Sequence, residues 1–288
     1  MLTQGDPLGV GAFIRHLHPD YGTYTGVGNA PSLKTPLIGQ IHYTEGARSA
    51  RLSFLLPSSY AEKPEMVQLV EALAIQAGKW GAFNLLAEVD EDSPAFITLR
   101  KAGFSVYARQ RVWQLPFTGT QENEFTSQWQ PVSAGDEVSI RNLAQLLAPP
   151  IVQSAELFPS NRAAGLVYYQ SGEIMAYVEN AFGPRGIFLL PLLHPAIEDV
   201  GGLLLGLDRH LFPLFMRPVY LSVRSYQAWI ESALEKLEWR ASQSQALMVK
   251  HLTRPQPIFA SSVRLVASEG RQIEPTVPIL KPCVPENH

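Results

Sequence analysis

The chain has 288 residues, 46% hydrophobic and 17% charged, with a net charge of −3 and a single cysteine, Cys283. That is enough apolar material for one large or two ordinary folded domains, and it excludes a chain that stays unfolded. The acidic balance excludes a generally basic nucleic-acid binder. One cysteine excludes a disulfide framework and a cysteine-based zinc site, and no apolar run approaches the roughly 20 residues of a membrane span.

Met1–Phe13 has no basic segment followed by an apolar one, so the expectation is a cytoplasmic protein without membrane or nucleic-acid partners, monomeric or homodimeric. His16-Leu17-His18-Pro19-Asp20 reads as a surface loop, because two histidines at i and i+2 share a face only on a strand and no third ligand is near. Gly26-Val27-Gly28-Asn29-Ala30 reads as a turn. Ala50–Leu56 is an apolar run with little alternation, the mark of a strand covered on both faces. Glu65–Ala77 places Met66, Val70, Leu73 and Ala77 on one helical stripe, with Gly78 as its stop. Phe83–Val89 is a second buried strand. Asp92-Ser93-Pro94 then offers a capping residue followed by proline at a helix start, and the short helix Ala95–Ala102 closes at Gly103. Phe104–Leu115 alternates as a long strand, and the polar stretch Phe117–Gln128 reads as a linker.

Beyond the linker, Val138–Leu147 reads as a helix stopped by Pro149-Pro150. Gly165–Gln170 and Glu173–Glu179 form a hairpin through Ser171-Gly172. Ile187–Leu193 is a buried strand, Val200–Leu211 a helix, Val219–Val223 a strand, Tyr226–Leu237 a helix and Ala241–Leu252 a last strand. Residues 254–288 are a proline-rich tail. The halves repeat each other. Phe54-Leu55-Leu56-Pro57 returns as Phe188-Leu189-Leu190-Pro191, and at the same offset Leu85–Val89 falls on Val219–Val223. The expectation is therefore an α+β fold of two domains, 1–118 (shortened at its start) and 129–253, each with its own mixed sheet and flanking helices, followed by the tail 254–288.

The phrase from Asp92 to Phe104 resembles the Asn-x-x-Ala-x-x-x-Tyr-x-x-x-Gly-Phe signature of the GCN5-related N-acetyltransferases (GNAT). Ala95, Gly103 and Phe104 match, Asp92 stands for the Asn and Leu99 for the Tyr. Residues 129–252 resemble a second such domain, with Leu234 at the Tyr position. The resemblance implies two tandem GNAT-like acyl-CoA acyltransferase domains that move an acyl group from acetyl-CoA or another acyl-CoA to an amine. In that family the pantetheine arm lies in a splay between two parallel strands, and the pyrophosphate rests on a glycine-rich loop at the next helix start, where backbone N–H groups converge. Here the first such loop, Ser58–Glu65, has no glycine, contains Pro64 and carries Glu62 and Glu65. The second, His194–Gly202, has Gly201 and Gly202 but places Glu198 at the usual Arg position. On this resemblance the second copy holds the acyl-CoA, with Leu190, Leu192, Gly201 and Gly202 as its contacts. Leu99 and Leu234 carry no proton to give and are expected in the core. Tyr226 and His194 are then the candidate acids, and Glu179 the candidate base. The alternative is a catalytically inactive binding or structural protein that keeps the fold.

Overall fold

The computed structural model describes residues 21–115, 128–156, 165–183, 186–211 and 218–252. The loop His16–Asp20, the linker up to residue 127 and the tail with Cys283 lie outside the described residues. Three antiparallel strands come first: β1 (Tyr21–Gly28), β2 (Leu37–Thr44) and β3 (Ser49–Leu56). The sequence suggests a turn at Gly26-Val27-Gly28, but these residues end β1 and pair with Gly39, Ile38 and Leu37. Glycine is used here for clearance. Helix α1 (Pro64–Lys79) lies directly on β1 and β2, and a Cβ on Gly39 would stand 2.7 Å from Leu73 Cδ1, while one on Gly26 would stand 3.1 Å from Leu69 and Leu73. The helical stripe read in the sequence is the buried face of α1, and the helix runs on through Gly78 to Lys79. Then come β4 (Asn84–Asp90), α2 (Pro94–Lys101) and β5 (Ser105–Gln114). Ser93 caps α2 by accepting the Ala95 N–H at 3.2 Å, and Pro94 takes the first helical position, where no N–H is needed.

The second half contains β6 (Trp129–Pro131), α3 (Glu137–Leu147), α4 (Pro150–Ala155), β7 (Gly165–Gln170), β8 (Glu173–Gly183) and β9 (Gly186–Leu193). It continues with α5 (Val200–Leu211), β10 (Val219–Arg224), a 3-10 turn (Ser225–Ile230), α6 (Glu231–Lys236), β11 (Arg240–Ala241) and β12 (Gln245–His251). The single helix expected over Tyr226–Leu237 is thus a 3-10 turn followed by α6.

The expectation of two sheets is corrected. The described strands form one sheet in the order β1-β2-β3-β4-β12-β5-β10-β9-β8-β7-β6, with β11 also on β5. The reason is an exchange of strands. β12, from the end of the second half, inserts between β4 and β5 of the first, pairing along its whole length with Asn84–Asp90 and along most of it with Ser105–Gln110. The far edge of β5 pairs with β10. Parallel pairing occurs once in each half, between β3 and β4 and between β9 and β10, over three residue pairs each time. The repeated Phe-Leu-Leu lies in the equivalent strands β3 and β9 but at different heights, Pro57 falling just past β3 and Pro191 within β9. Phe54 is three residues past the last parallel-paired residue, Arg51, whereas Phe188 is one residue before its counterpart, Leu189.

One face of the sheet is covered by α1 and α2 over Ile41, Leu85, Phe104 and Met248, and by α5 and α6 over Trp113, Leu189 and Leu221. Leu99 and Leu234 are buried in these two cores, as their inward stripes predict. On the opposite face, α3 packs on Val167, Tyr177 and Leu192, and α4 packs on Leu86, Ala108 and Leu247. Among the described residues no helix is long and apolar enough to cross a membrane.

Candidate functional site

Where two parallel strands part, each leaves main-chain N–H and C=O groups without a ladder partner, and something must satisfy them. The two splays of this sheet answer that demand differently. In the second copy, β9 and β10 part after Leu189 and Leu221. Gln227, only 1% exposed, fills the gap: its Oε1 accepts the Leu193 N–H at 2.8 Å, and its Nε2 donates to the Pro191 carbonyl at 2.8 Å. Its own backbone leaves the helical region to do so (φ −120°, ψ 22°). Pro191 has no N–H to offer, so the carboxamide of Gln227 stands where an amide of an extended ligand would otherwise bond. The residues facing the splay are Pro191 and Leu193. By the alternation of a strand, the main-chain groups of Leu190 and Leu192 turn toward β8, and the Leu192 side chain is buried against α3.

The glycine pair of this copy has a local use. Asp199 accepts the Gly202 N–H at 2.8 Å, and a Cβ on Gly202 would lie 2.2 Å from the Asp199 Oδ2. The start of α5 therefore already holds a carboxylate, the chain's own. His194 follows β9, donating its N–H to the Met175 carbonyl at 2.8 Å and accepting the Ala196 N–H on Nδ1 at 3.2 Å. Glu179 lies on β8 opposite Leu190. Tyr226 lies in the 3-10 turn between the α3 and α4 cores, and burial chiefly pushes its hydroxyl up to about 12. Tyr226, His194 and Glu179 thus stand on three separate elements.

In the first copy, β3 and β4 part after Arg51 and Leu86, and β3 bulges at Ser53. Among the described residues, no side chain hydrogen-bonds to the main chain of Leu52–Leu56, and in that sense this splay is open. At its far end the start of α1 is unsuited to an anion. Pro64 lacks an N–H. The Glu65 carboxylate accepts the Ser32 hydroxyl at 2.6 Å and its own N–H, and these bonds hold it below the usual carboxylate range. The edge of β3 fits a pantetheine arm. The starts of α1 and α5 do not fit a pyrophosphate, since each already holds a negative charge.

On the α3/α4 face, at the origin of the open splay, lies a group of polar side chains. Arg51 Nη1 meets Glu88 Oε1 at 3.3 Å, and Gln110 Nε2 donates to Glu88 Oε2 at 3.4 Å. Gln110 also accepts the Ser222 hydroxyl at 2.6 Å and donates to Gln245 at 2.9 Å. Behind them Glu156, the residue after α4, pairs with Arg224 Nη2 at 3.2 Å and accepts the Tyr107 hydroxyl, all three groups being buried. Burial pushes the Glu156 carboxyl up, but Arg224, Arg51 and Tyr107 outweigh it and hold the group below its ordinary value. Burial, the adjacent Glu156 charge and the bond to it push the Tyr107 hydroxyl well up. Sequence reading missed Gln227, Glu156, Arg224 and Tyr107. The available signal was a charge closing an apolar segment, as Arg224 closes Val219–Val223 and Glu156 closes Pro150–Ala155.

A mixed sheet with flanking helices, in which a strand hairpin leads to a splayed parallel pair twice over, is the fold of the GCN5-related N-acetyltransferases in tandem. Among solved structures, this chain is similar to a GCN5-related N-acetyltransferase from Kribbella flavida, with 13% identity, a TM-score of 0.50, and 84% of this chain and 96% of that one covered. It also aligns with a tandem GNAT protein from the clavulanic acid biosynthesis pathway (14% identity, TM-score 0.49, 83% and 85% covered). A third is a GCN5-related N-acetyltransferase from Sphaerobacter thermophilus (12%, 0.47, 75% and 76%). No protein-family model matches the sequence, and no curated protein is significantly similar to it. At these identities the likeness is one of fold.

Proposed function

We propose that this chain is an acyltransferase of the GNAT kind, transferring an acyl group from a thioester such as acetyl-CoA to an amine, and that its groove is the β3–β4 splay of the first copy. The observation that carries this reading is the contrast between the splays: Gln227 takes the Leu193 N–H and the Pro191 carbonyl of β9, while among the described residues no side chain takes the main-chain groups of Leu52–Leu56. The second copy, where Leu190, Leu192, Gly201 and Gly202 were expected to hold the ligand, then serves as a closed partner that completes the sheet. Tyr226, His194 and Glu179 belong to that closed copy. A bound thioester supplies the activated acyl carbon. From the chain's side, an incoming ammonium needs a group to hold it and take its proton, and Glu88, half-exposed at the splay origin, is placed for both.

A second reading, a GNAT-fold protein without catalysis, is favoured by the carboxylates that fill both helix starts. Calorimetric titration with acetyl-CoA separates the two. Removing the charge at α1 by Glu65→Gln should tighten binding roughly two- to fivefold, the scale of one charge at a helix N-terminus, while Asp199→Asn leaves it unchanged. Tightening by Asp199→Asn alone would move the site to the second copy. No binding to any of the three proteins at millimolar ligand would establish the second reading.

A further inference from the structure

An ion pair on an open strand face contributes little and usually needs no function. The Arg51–Glu88 pair is placed differently. Arg51 is the last residue of β3 that pairs with β4, and Glu88 stands two residues past Arg51's partner Leu86, so the pair marks the point where the open splay begins. Among the described residues, the cover over this face ends just there. The Ser49 hydroxyl and the Asn84 amide reach the carbonyls of Ala155 and Ser154 at the end of α4, and Glu156 follows. Beyond that edge the two side chains are 51% and 43% exposed, with their charged groups 3.3 Å apart. Behind them both oxygens of Glu156 are taken, one by Tyr107 and the other by Arg224. Arg51 therefore acts on Glu156 only through space, and its guanidinium is shared in direct contact between Glu88 and whatever approaches from outside.

We propose that this pair is the acceptor-recognition site and that it selects zwitterionic amines, those carrying a carboxylate at α-amino-acid spacing, with the ammonium on Glu88 and the carboxylate on Arg51. The inference rests on the first splay being the acyl groove. A simple cation bound to Glu88 would cost the Arg51 guanidinium its contact partner, leaving it only the through-space attraction of Glu156, which Arg224 already pairs. A zwitterion replaces both halves of the pair at once and leaves no charge uncompensated. The planar fork of arginine also matches a carboxylate in two parallel hydrogen bonds, which a lysine ammonium does not. Glu88 keeps its bond from Gln110 throughout, so it stays in place when Arg51 turns to a ligand.

The test uses amines that differ only by the carboxylate: alanine against ethylamine, and lysine against 1,5-diaminopentane. Thermal stabilisation of the full chain reads binding without turnover, and thiol release from acetyl-CoA reads transfer. The amino acid of each pair should raise the melting temperature and be used with a KM roughly tenfold below that of its decarboxylated partner. Arg51→Gln should collapse that preference, and Arg51→Lys should restore part of it. Equal stabilisation by both members of a pair, or a preference that survives Arg51→Gln, overturns the proposal. Thiol release without carboxylate preference would keep the acyl-transfer reading and sink this one. Zwitterion-specific stabilisation that Arg51→Gln abolishes, without thiol release from any amine, would keep this one and sink the other.

Discussion

Glu156 holds the join between the two copies at the level of single residues. It follows α4 of the second copy, bonds the Tyr107 hydroxyl on β5 of the first, and neutralises Arg224 at the end of β10. All of this happens out of water, so removing one charge leaves the other stranded. Glu156→Gln should cost about 3–5 kcal/mol, read as a fall in the denaturation midpoint. Replacing the pair together, Glu156→Leu with Arg224→Met, should recover most of that loss, because two apolar side chains need no counter-charge. If the double variant is as unstable as the single one, the pair is not the source of the effect. The pH dependence has a definite sign. The folded carboxyl is held below its unfolded value of 4.5, so its contribution is complete above that pH and is lost as the pH falls through the lower folded value. The melting temperatures of wild type and Glu156→Gln should therefore lie far apart at neutral pH and converge in acid. A constant gap down to full protonation would refute the assignment.

At the scale of elements, much was legible because burial leaves a local trace. The runs Phe83–Val89 and Ile187–Leu193 had to be largely covered strands, and the stripe Met66, Val70, Leu73, Ala77 had to be a buried helix face. Ala50–Leu56 is a strand as read, but not one covered on both faces: only Ala50 is buried, because the strand parts from β4 after Arg51. Leu99 stands where the related signature has a tyrosine, and its place in the core follows from the inward stripe of α2. What escaped was set by partners far along the chain. β1 looked like a turn because two of its last three residues are glycine, and the need for Gly26 is visible only once α1 is laid across the strands. Gln227 looked like any polar helix residue, and its role depends on a strand more than 30 residues earlier. The clearance under α1 can be measured. Gly39→Val should cost about 1–3 kcal/mol by forcing Leu73, Leu55 and Leu69 apart, whereas Gly28→Val, where the nearest neighbour to an added Cβ is 3.7 Å away, should be close to neutral. Equal melting temperatures for the two variants would mean that α1 does not sit as closely on β2 as the structure has it.

For the whole molecule, the exchange of β12 decides whether the halves can stand alone. Without it, β4 and β5 have no strand between them, and a row of main-chain groups from Asn84 to Asp90 loses its partners. β12 in turn carries Ala246, Leu247, Met248 and Val249, all buried, into cores on both faces of the first copy. A first half cut at residue 118 would therefore expose an apolar slot as well as unpaired backbone, and such a strand edge invites aggregation. A second half alone would lose β5, the strand that lies between β10 and β11. The expectation is that residues 1–118 and residues 129–288, expressed separately, each fail to give a cooperative thermal transition. Co-expressed, they should assemble into a species with the far-ultraviolet spectrum of the intact chain. Within the intact protein, amide exchange should protect β4, β5 and β12 to the same extent, since none of the three can open without exposing the others. A monomeric 1–118 fragment that melts cooperatively, or β12 amides that exchange well before those of β4, would show that the inserted strand decorates the first copy and does not complete it.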